Sequence, residues 1–241
     1  MGKRIAVRST LALLLCAGLL AAGCQYPRDP DGTLNRVSDG GVMRVGVAQS
    51  DPWVLLENNK PTGGAEVEIV RRFARDVGAR IEWVQGSEEE LVEATKEGQI
   101  DLLIAGLTKK SRWKKDVAFT RPYVDTRTVV GISPGTSPPD DFAGVSVAVE
   151  RGTVEEGLLA QRTDARVRPL EELSAVRGEP AAVHDYLLDD LDLIDSGTEL
   201  AKDKHVMAVK LGENAMLVRL ERFLLNRADE IRRLLREEGR P

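Results

Sequence analysis

The uninterrupted apolar run LLIAGL, Leu102 to Leu107, restricts this chain more than any other segment. Six residues without polar alternation fit a strand covered on both faces. Segments before it agree. MRVGVAQ, Met43 to Gln49, reads as a strand, and Val67, Val70, Phe73, Ala74 and Val77 then recur at helical spacing until Gly78 ends the pattern. Ile81 to Val84 is a short strand, and Glu88 to Lys96 is an acidic-fronted helix stopped by Gly98. Strand and helix in alternation argue for an α/β chain whose parallel sheet carries helices on its faces.

The rhythm pauses at FTRPY, Phe119 to Tyr123, and resumes with a strand-like Thr128 to Ile132 followed by Pro134, Gly135, Pro138 and Pro139. That pause reads as a boundary. A second cycle follows: a strand at Val145 to Val149, a Gly152-Thr153 turn, a helix near Val154 to Arg162, and a helix or strand around Leu170 to Val176. From His205 a strand VMAV leads to Gly212. Beyond it, Leu217, Leu220, Phe223 and Leu224 form one helical face, and an arginine-rich helix stops at Gly239.

The first residues have a different character. A basic start (Lys3, Arg4, Arg8), an apolar run from Leu11 to Leu20 and the small residues Ala21-Ala22-Gly23 before Cys24 have the anatomy of a secretory signal. The apolar run is too short to cross a bilayer as a permanent helix. LLAAGC is similar to a bacterial lipobox, although Ala21 stands where a larger aliphatic is usual, so Cys24 is expected to carry a diacylglycerol after residues 1–23 are removed. Gln25 to Gly41 then reads as a polar tether. Cys16 and Cys24 are the two cysteines, so the processed chain has no disulfide. Net charge is -5, and more negative once Lys3, Arg4 and Arg8 leave. That implies no basic face for nucleic acid. Roughly 200 residues remain, with 42% hydrophobic content overall, enough for one large domain or two modest lobes.

Several ordered pieces carry a resemblance: GGAEVEIVRRFARDVG, EGQIDLLIAGLT, VAFTRPY, VAVERGT, AAVHDY and HVMAVKLGENAMLVRLERFL. Together they resemble the bacterial extracellular solute-binding proteins of the amino-acid-binding type, family 3, over about Met43 to Glu238. The resemblance implies a two-lobed type II periplasmic-binding-protein fold with two hinge-crossing strands. It places residues 41–121 plus 205–241 in lobe 1, 128–204 in lobe 2, and the hinge at 122–127 and 203–206. It also implies a monomer that takes a small polar solute, an amino acid or amine-bearing compound, and delivers it to an ABC permease. Such a chain would sit in the cell envelope, held to a membrane by the Cys24 lipid, with no cofactor and no catalytic activity.

Parallel α/β sheets leave backbone N–H groups and helix N-termini at the carboxyl ends of their strands, where a small anionic group can sit. Gly106 and Thr108 follow the buried run and Gly152 and Thr153 follow the second-lobe strand, so both turns are candidate ligand contacts, with a plain strand-ending turn and a helix cap as the alternatives. The resemblance also makes Asp185 the receiver of the ligand's ammonium, by a charge-assisted pair, and Trp53 an aromatic cover. His184 is more readily a structural imidazole than a direct contact. Two histidines and no carboxylate cluster at metal-ligand spacing predict no metal.

One departure stands out. The family's carboxylate-forking arginine falls, without a gap, on Trp113. Arg112 is one residue earlier, about 100° away on a helix. Either a local slip lets Arg112 serve, or Trp113 makes an aromatic wall and the ligand is not a standard α-amino acid. Two other functions share the fold. A periplasmic dehydratase would need an acid or base such as Glu66, Glu150, Asp185 or His184, and a ligand-sensing adaptor lipoprotein could dock through Arg227, Arg232, Arg233 and Arg236.

Overall fold

The computed structural model describes residues 29–176 and 178–239. The signal segment and Cys24 lie outside the described residues. Among those described, no helix is long and apolar enough to cross a membrane.

The first sheet is built from β1 (Val42–Val47), β4 (Arg80–Gln85), β5 (Leu102–Ile104), β6 (Ala118–Phe119) and β12 (Ala208–Val209), in the order β4-β1-β5-β12-β6. β1 runs parallel to β4 and β5, while β12 runs antiparallel to β5 and β6. The apolar run behaves as its composition requires. Leu102 and Ile104 join the core on one face, and Leu103, Ala105 and Leu107 that on the other, as a two-residue pleat dictates.

On the first of those faces pack α2 (Ala65–Val77), α5 (Asn214–Leu224) and α6 (Ala228–Glu238), with Val67, Val70, Phe73, Leu220, Phe223 and Leu235 buried. Gly78 ends α2 at φ 73, and its N–H returns to Ala74 O and Arg75 O, the left-handed stop expected of glycine. Against the other face lies α3 (Glu88–Lys96), opened by a capping box in which Ser87 Oγ accepts from Glu90 N and Glu90 Oε2 accepts from Ser87 N.

The second sheet comprises β7 (Val124–Ile132), β8 (Ser146–Glu150), β9 (Arg166–Leu170), β10 (Ala181–His184) and β11 (Ile194–His205), in the order β11-β7-β10-β8-β9. Val147 and Val149 face one core and Ala148 the other, with α4 (Val154–Arg162) packed across the sheet. The ambiguous segment near Leu170 resolves into the end of β9 and a single 3₁₀ turn at Leu173–Ala175.

β7 and β11 are the crossing strands. They pair antiparallel from Val124↔His205 to Ile132↔Ile194. At the His205 end they enter the first lobe: Val206 N donates to Leu107 O at 2.8 Å and Lys109 N to Lys204 O at 2.9 Å.

Three elements differ from the sequence reading. The stretch before Gly63-Gly64 is a hairpin, β2 (Leu55–Glu57) with β3 (Lys60–Gly63), turned by Asn58 and Asn59 at φ 47 and 62. The end of the expected tether is instead structured. Thr33–Val37 forms α1, Val37 is fully buried, and Glu213 accepts from the N–H groups of Asp31 and Thr33. β11 itself fills a stretch where composition announced no element.

Candidate functional site

The strands place their carboxyl ends toward a cavity of about 310 Å³ between the two lobes. The loop after β1 contributes Asp51 and Pro52, and the start of β2 adds Leu55. β8 ends in Glu150, the start of α4 adds Thr153 and Glu155, and β10 ends in His184 beside Tyr186. The end of α6 closes the rim with Glu238 and Gly239. Four carboxylates therefore line the space, and among the described lining residues there is no lysine or arginine. Two opposite unit charges 4 Å apart attract by about 4 kcal/mol at an effective dielectric near 20, before desolvation is charged against them. A cation is the solute this lining favours.

Glu155 is the most constrained of the four. His184 Nε2 lies 3.1 Å from its Oε1, and its side chain is 17% exposed. Burial alone would raise the Glu155 carboxyl, but the hydrogen bond and charge of His184 outweigh it and hold the group below the usual carboxylate range. His184 stacks on Tyr186 with ring centroids 5.0 Å apart and an interplanar angle of 13°. Its Nδ1 is buried with no hydrogen-bond partner among the described residues.

The residues singled out from sequence do not converge on one point. Of the expected ligand contacts only Thr153 is in the cavity wall among the described residues, joined there by Glu150 and His184 from the acid-base candidates; the Thr153 hydroxyl donates to Glu150 O at 2.7 Å, while the Gly152 N–H is taken by Glu156 at 2.7 Å. Gly106 turns at φ 62, where an added Cβ would lie 2.4 Å from Ser50 Oγ and 3.0 Å from Trp53 Cδ1. Its N–H donates to Glu66 Oε2 at 2.9 Å. Thr108 N donates to Ser111 Oγ, and Thr108 Oγ1 accepts from Lys110 N.

Trp53 is 7% exposed and outside the cavity wall. It stacks on His205 at 3.8 Å and meets Tyr123 edge-on at 6.3 Å, so its ring serves packing here. Glu66 lies in the same cluster, almost fully buried and hydrogen-bonded by the Tyr123 hydroxyl at 2.5 Å. Burial pushes its carboxyl up to about 7 against the opposing hydrogen bonds from Tyr123, Gly106 and Ala105. Burial likewise brings His205 down to about 4.

Arg112 and Trp113 do not line the cavity. The guanidinium stacks 4.0 Å over the Trp113 ring and reaches Glu89 at 3.5 Å, with the Arg112 side chain 71% exposed. Trp113 Nε1 donates to Glu88, and its ring packs against the α3-side core. Neither the slipped arginine nor an aromatic wall reaches the cavity.

Asp185 is committed elsewhere. Its carboxylate is 8% exposed, accepts from Arg127 N at 3.2 Å, and pairs with Arg127 Nε at 3.4 Å and Arg232 Nη1 at 3.3 Å. Arg232 also donates to Asp125 O, and Arg236 reaches Asp189 at 3.2 Å. Arg232 and Arg236 of α6 thus bind the second lobe, while Glu230 on the same helix pairs with Arg72 of α2 and with Arg227. Asp51, Glu155, Tyr186 and Glu238 escaped the sequence reading. Glu155 had one available signal, its place in the first turn of a helix just after a Gly-Thr turn.

Two α/β lobes joined by crossing strands, with a cavity at facing strand ends, define a bilobal small-molecule-binding protein. The chain belongs to the bacterial extracellular solute-binding proteins, family 3, whose family model matches residues 43–233. It is 23% identical over 169 residues to the "Probable histidine-binding protein" of Campylobacter jejuni, covering 68% of this chain and 66% of that one. It is 30% identical over 148 residues to the "Membrane-bound lytic murein transglycosylase F" of Pseudomonas fluorescens, covering 59% of this chain and 30% of that one. The chain therefore spans less than two thirds of either relative. Among solved structures, an ancestral cationic amino acid solute binding protein superposes with a TM-score of 0.62 at 20% identity, covering 86% of this chain and 97% of that one. The second substrate binding domain of a putative amino acid ABC transporter from Streptococcus pneumoniae gives 0.59 at 19% identity, covering 81% and 98%. These likenesses establish the two-lobed fold.

Proposed function

We propose that this chain captures a small polar, amine-bearing solute between its lobes and hands it to an ABC permease while a lipid on Cys24 holds it to the membrane, facing the periplasm or the cell exterior. The carrying observation is the cavity of about 310 Å³, shared by both lobes and lined by four carboxylates. In this reading residues 128–204 close against 41–121 plus 205–241 by bending at 122–127 and 203–206, a hinge motion open to two lobes joined by two strands. Binding rather than catalysis is favoured because two of the four candidate acid-base groups are occupied internally: Glu66 by Tyr123 and Gly106, Asp185 by two guanidiniums.

A ligand that binds only the folded state raises the melting temperature. Thermal unfolding across a library of amino acids, amines and short peptides should reveal such a solute. A library without a single stabilising compound would contradict the proposal. Loss of fatty-acid incorporation in Cys24→Ala tests the anchor separately.

A second reading, a ligand-sensing lipoprotein that signals to a partner, is supported by the murein transglycosylase match, in which a unit like this one makes up 30% of a longer protein. Co-purification of a permease favours transport, and of a sensor or enzyme the second reading. The basic face at α6 offers little to such a partner, since Arg227 just before the helix and Arg232 and Arg236 on it have intramolecular acids.

A further inference from the structure

A free α-amino acid carries two opposite charges, and its site needs a cation for the carboxylate as well as an anion for the ammonium. Around this cavity anions are plentiful, while among the described lining residues no lysine or arginine is supplied to fork a carboxylate. Arg112 stands outside on Glu89 and Trp113. Arg151, beside the Gly152-Thr153 turn, pairs with Glu171 at 2.8 Å. The Gly106, Thr108 and Gly152 N–H groups, which could otherwise hold a carboxylate, donate to Glu66, Ser111 and Glu156.

The anionic side has also moved. Asp185, enclosed by Arg127 and Arg232, is already neutralised and does not line the cavity. A second cation could reach it only by displacing a guanidinium. Glu155 does line the cavity, half a turn into α4, and its partner is an imidazole whose other nitrogen is buried without a hydrogen bond among the described residues.

We infer that the solute is an amine or guanidine cation with no free carboxylate, and that Glu155, positioned by His184, receives its charge in place of Asp185. Asp51, Glu150 and Glu238 around the same space suit a cation with a second positive centre. This rests on the solute-binding reading above.

Two matched pairs differ by one carboxylate: 1,5-diaminopentane against lysine, and agmatine against arginine. In calorimetric titrations of the purified chain, the decarboxylated member of at least one pair should bind about tenfold tighter or more. Glu155→Gln should weaken that binding about tenfold, while Asp185→Asn, shown to be folded by circular dichroism, changes it less than about threefold. Another carboxylate-free amine as the tight ligand, with the same response to Glu155→Gln, supports the inference equally. Lysine or arginine binding as tightly as its amine overturns it, and so does loss of binding in folded Asp185→Asn. A neutral or acidic amino acid as the tight ligand overturns it while leaving solute capture standing. No binding of any small solute overturns both.

Discussion

The strand ends of the two sheets use their polar groups in opposite ways. In the first lobe the turn after the buried run is closed on itself: Gly106 donates to Glu66, Thr108 to Ser111, and Trp53, Tyr123 and His205 stack around them. In the second lobe Glu150, Glu155 and His184 face open space. A strand-ending turn offers donors to a ligand only while the protein leaves them unused. Here the first lobe has spent these donors on its own Glu66 and Ser111, and in the proposed reading recognition falls to the carboxylates of the second lobe and the rim.

That contrast breaks most visibly at Trp53. Trp53→Ala removes a ring buried to 7% exposure and is expected to cost about 3–5 kcal/mol of stability, read by urea unfolding. Solute affinity of the folded fraction should change less than about threefold, because the ring is not in the cavity wall. Unchanged stability with lost binding would return Trp53 to the role of ligand cover.

Glu66 sharpens the same point through pH. Its folded carboxyl titrates at about 7 against an ordinary 4.5, so the folded state holds the proton more tightly. The stabilisation is complete below pH 4.5 and is lost as pH rises through 7, by an amount on the order of 3 kcal/mol. Glu66→Gln should reduce the loss of stability between pH 4.5 and pH 7.5 by about that much, measured by urea unfolding of both proteins at each pH. A parallel pH dependence in the two proteins would mean that Glu66 is not buried as an acid.

Smaller effects are expected where the second lobe meets α6. Arg232→Ala leaves Asp185 with Arg127 alone, and should lower stability by about 1–2 kcal/mol while leaving the cavity wall intact. Arg112→Ala should do least of all. An ion pair at 3.5 Å on a side chain 71% exposed contributes under about 0.5 kcal/mol, and its removal should not alter solute binding. A substantial loss of affinity in that variant would mean that the guanidinium swings into the cleft when solute is bound.

Much of the fold was legible because its strands and helices carry strong periodic signals. The run at Leu102 supplied alternate residues to two cores, and the α2 face from Val67 to Val77 was readable from spacing alone. β11 was not. It lies at the sheet edge, has Leu200 and His205 as its buried residues, and shifts register between Asp195 and Ala201, so no two-residue alternation marks it. The β2–β3 hairpin did leave a trace in Asn58-Asn59, a pair suited to positive φ.

The site was less legible for a different reason. Position along the chain identifies which turn a residue occupies, but not whether a partner from a distant segment has already claimed it. Asp185 lies beside the cleft-lining His184, yet Arg232, 47 residues later, takes its carboxylate. Glu155 and Glu238 are unremarkable acids on exposed-looking helices until the lobes and the end of α6 are brought together.

The most direct test is a crystal structure of the chain with its tightest small solute. The account predicts a solute nitrogen at about 3 Å from the Glu155 carboxylate, with Asp185 still held by Arg127 and Arg232. A solute ammonium seated on Asp185, with Arg232 displaced and Glu155 pointing away, would contradict it.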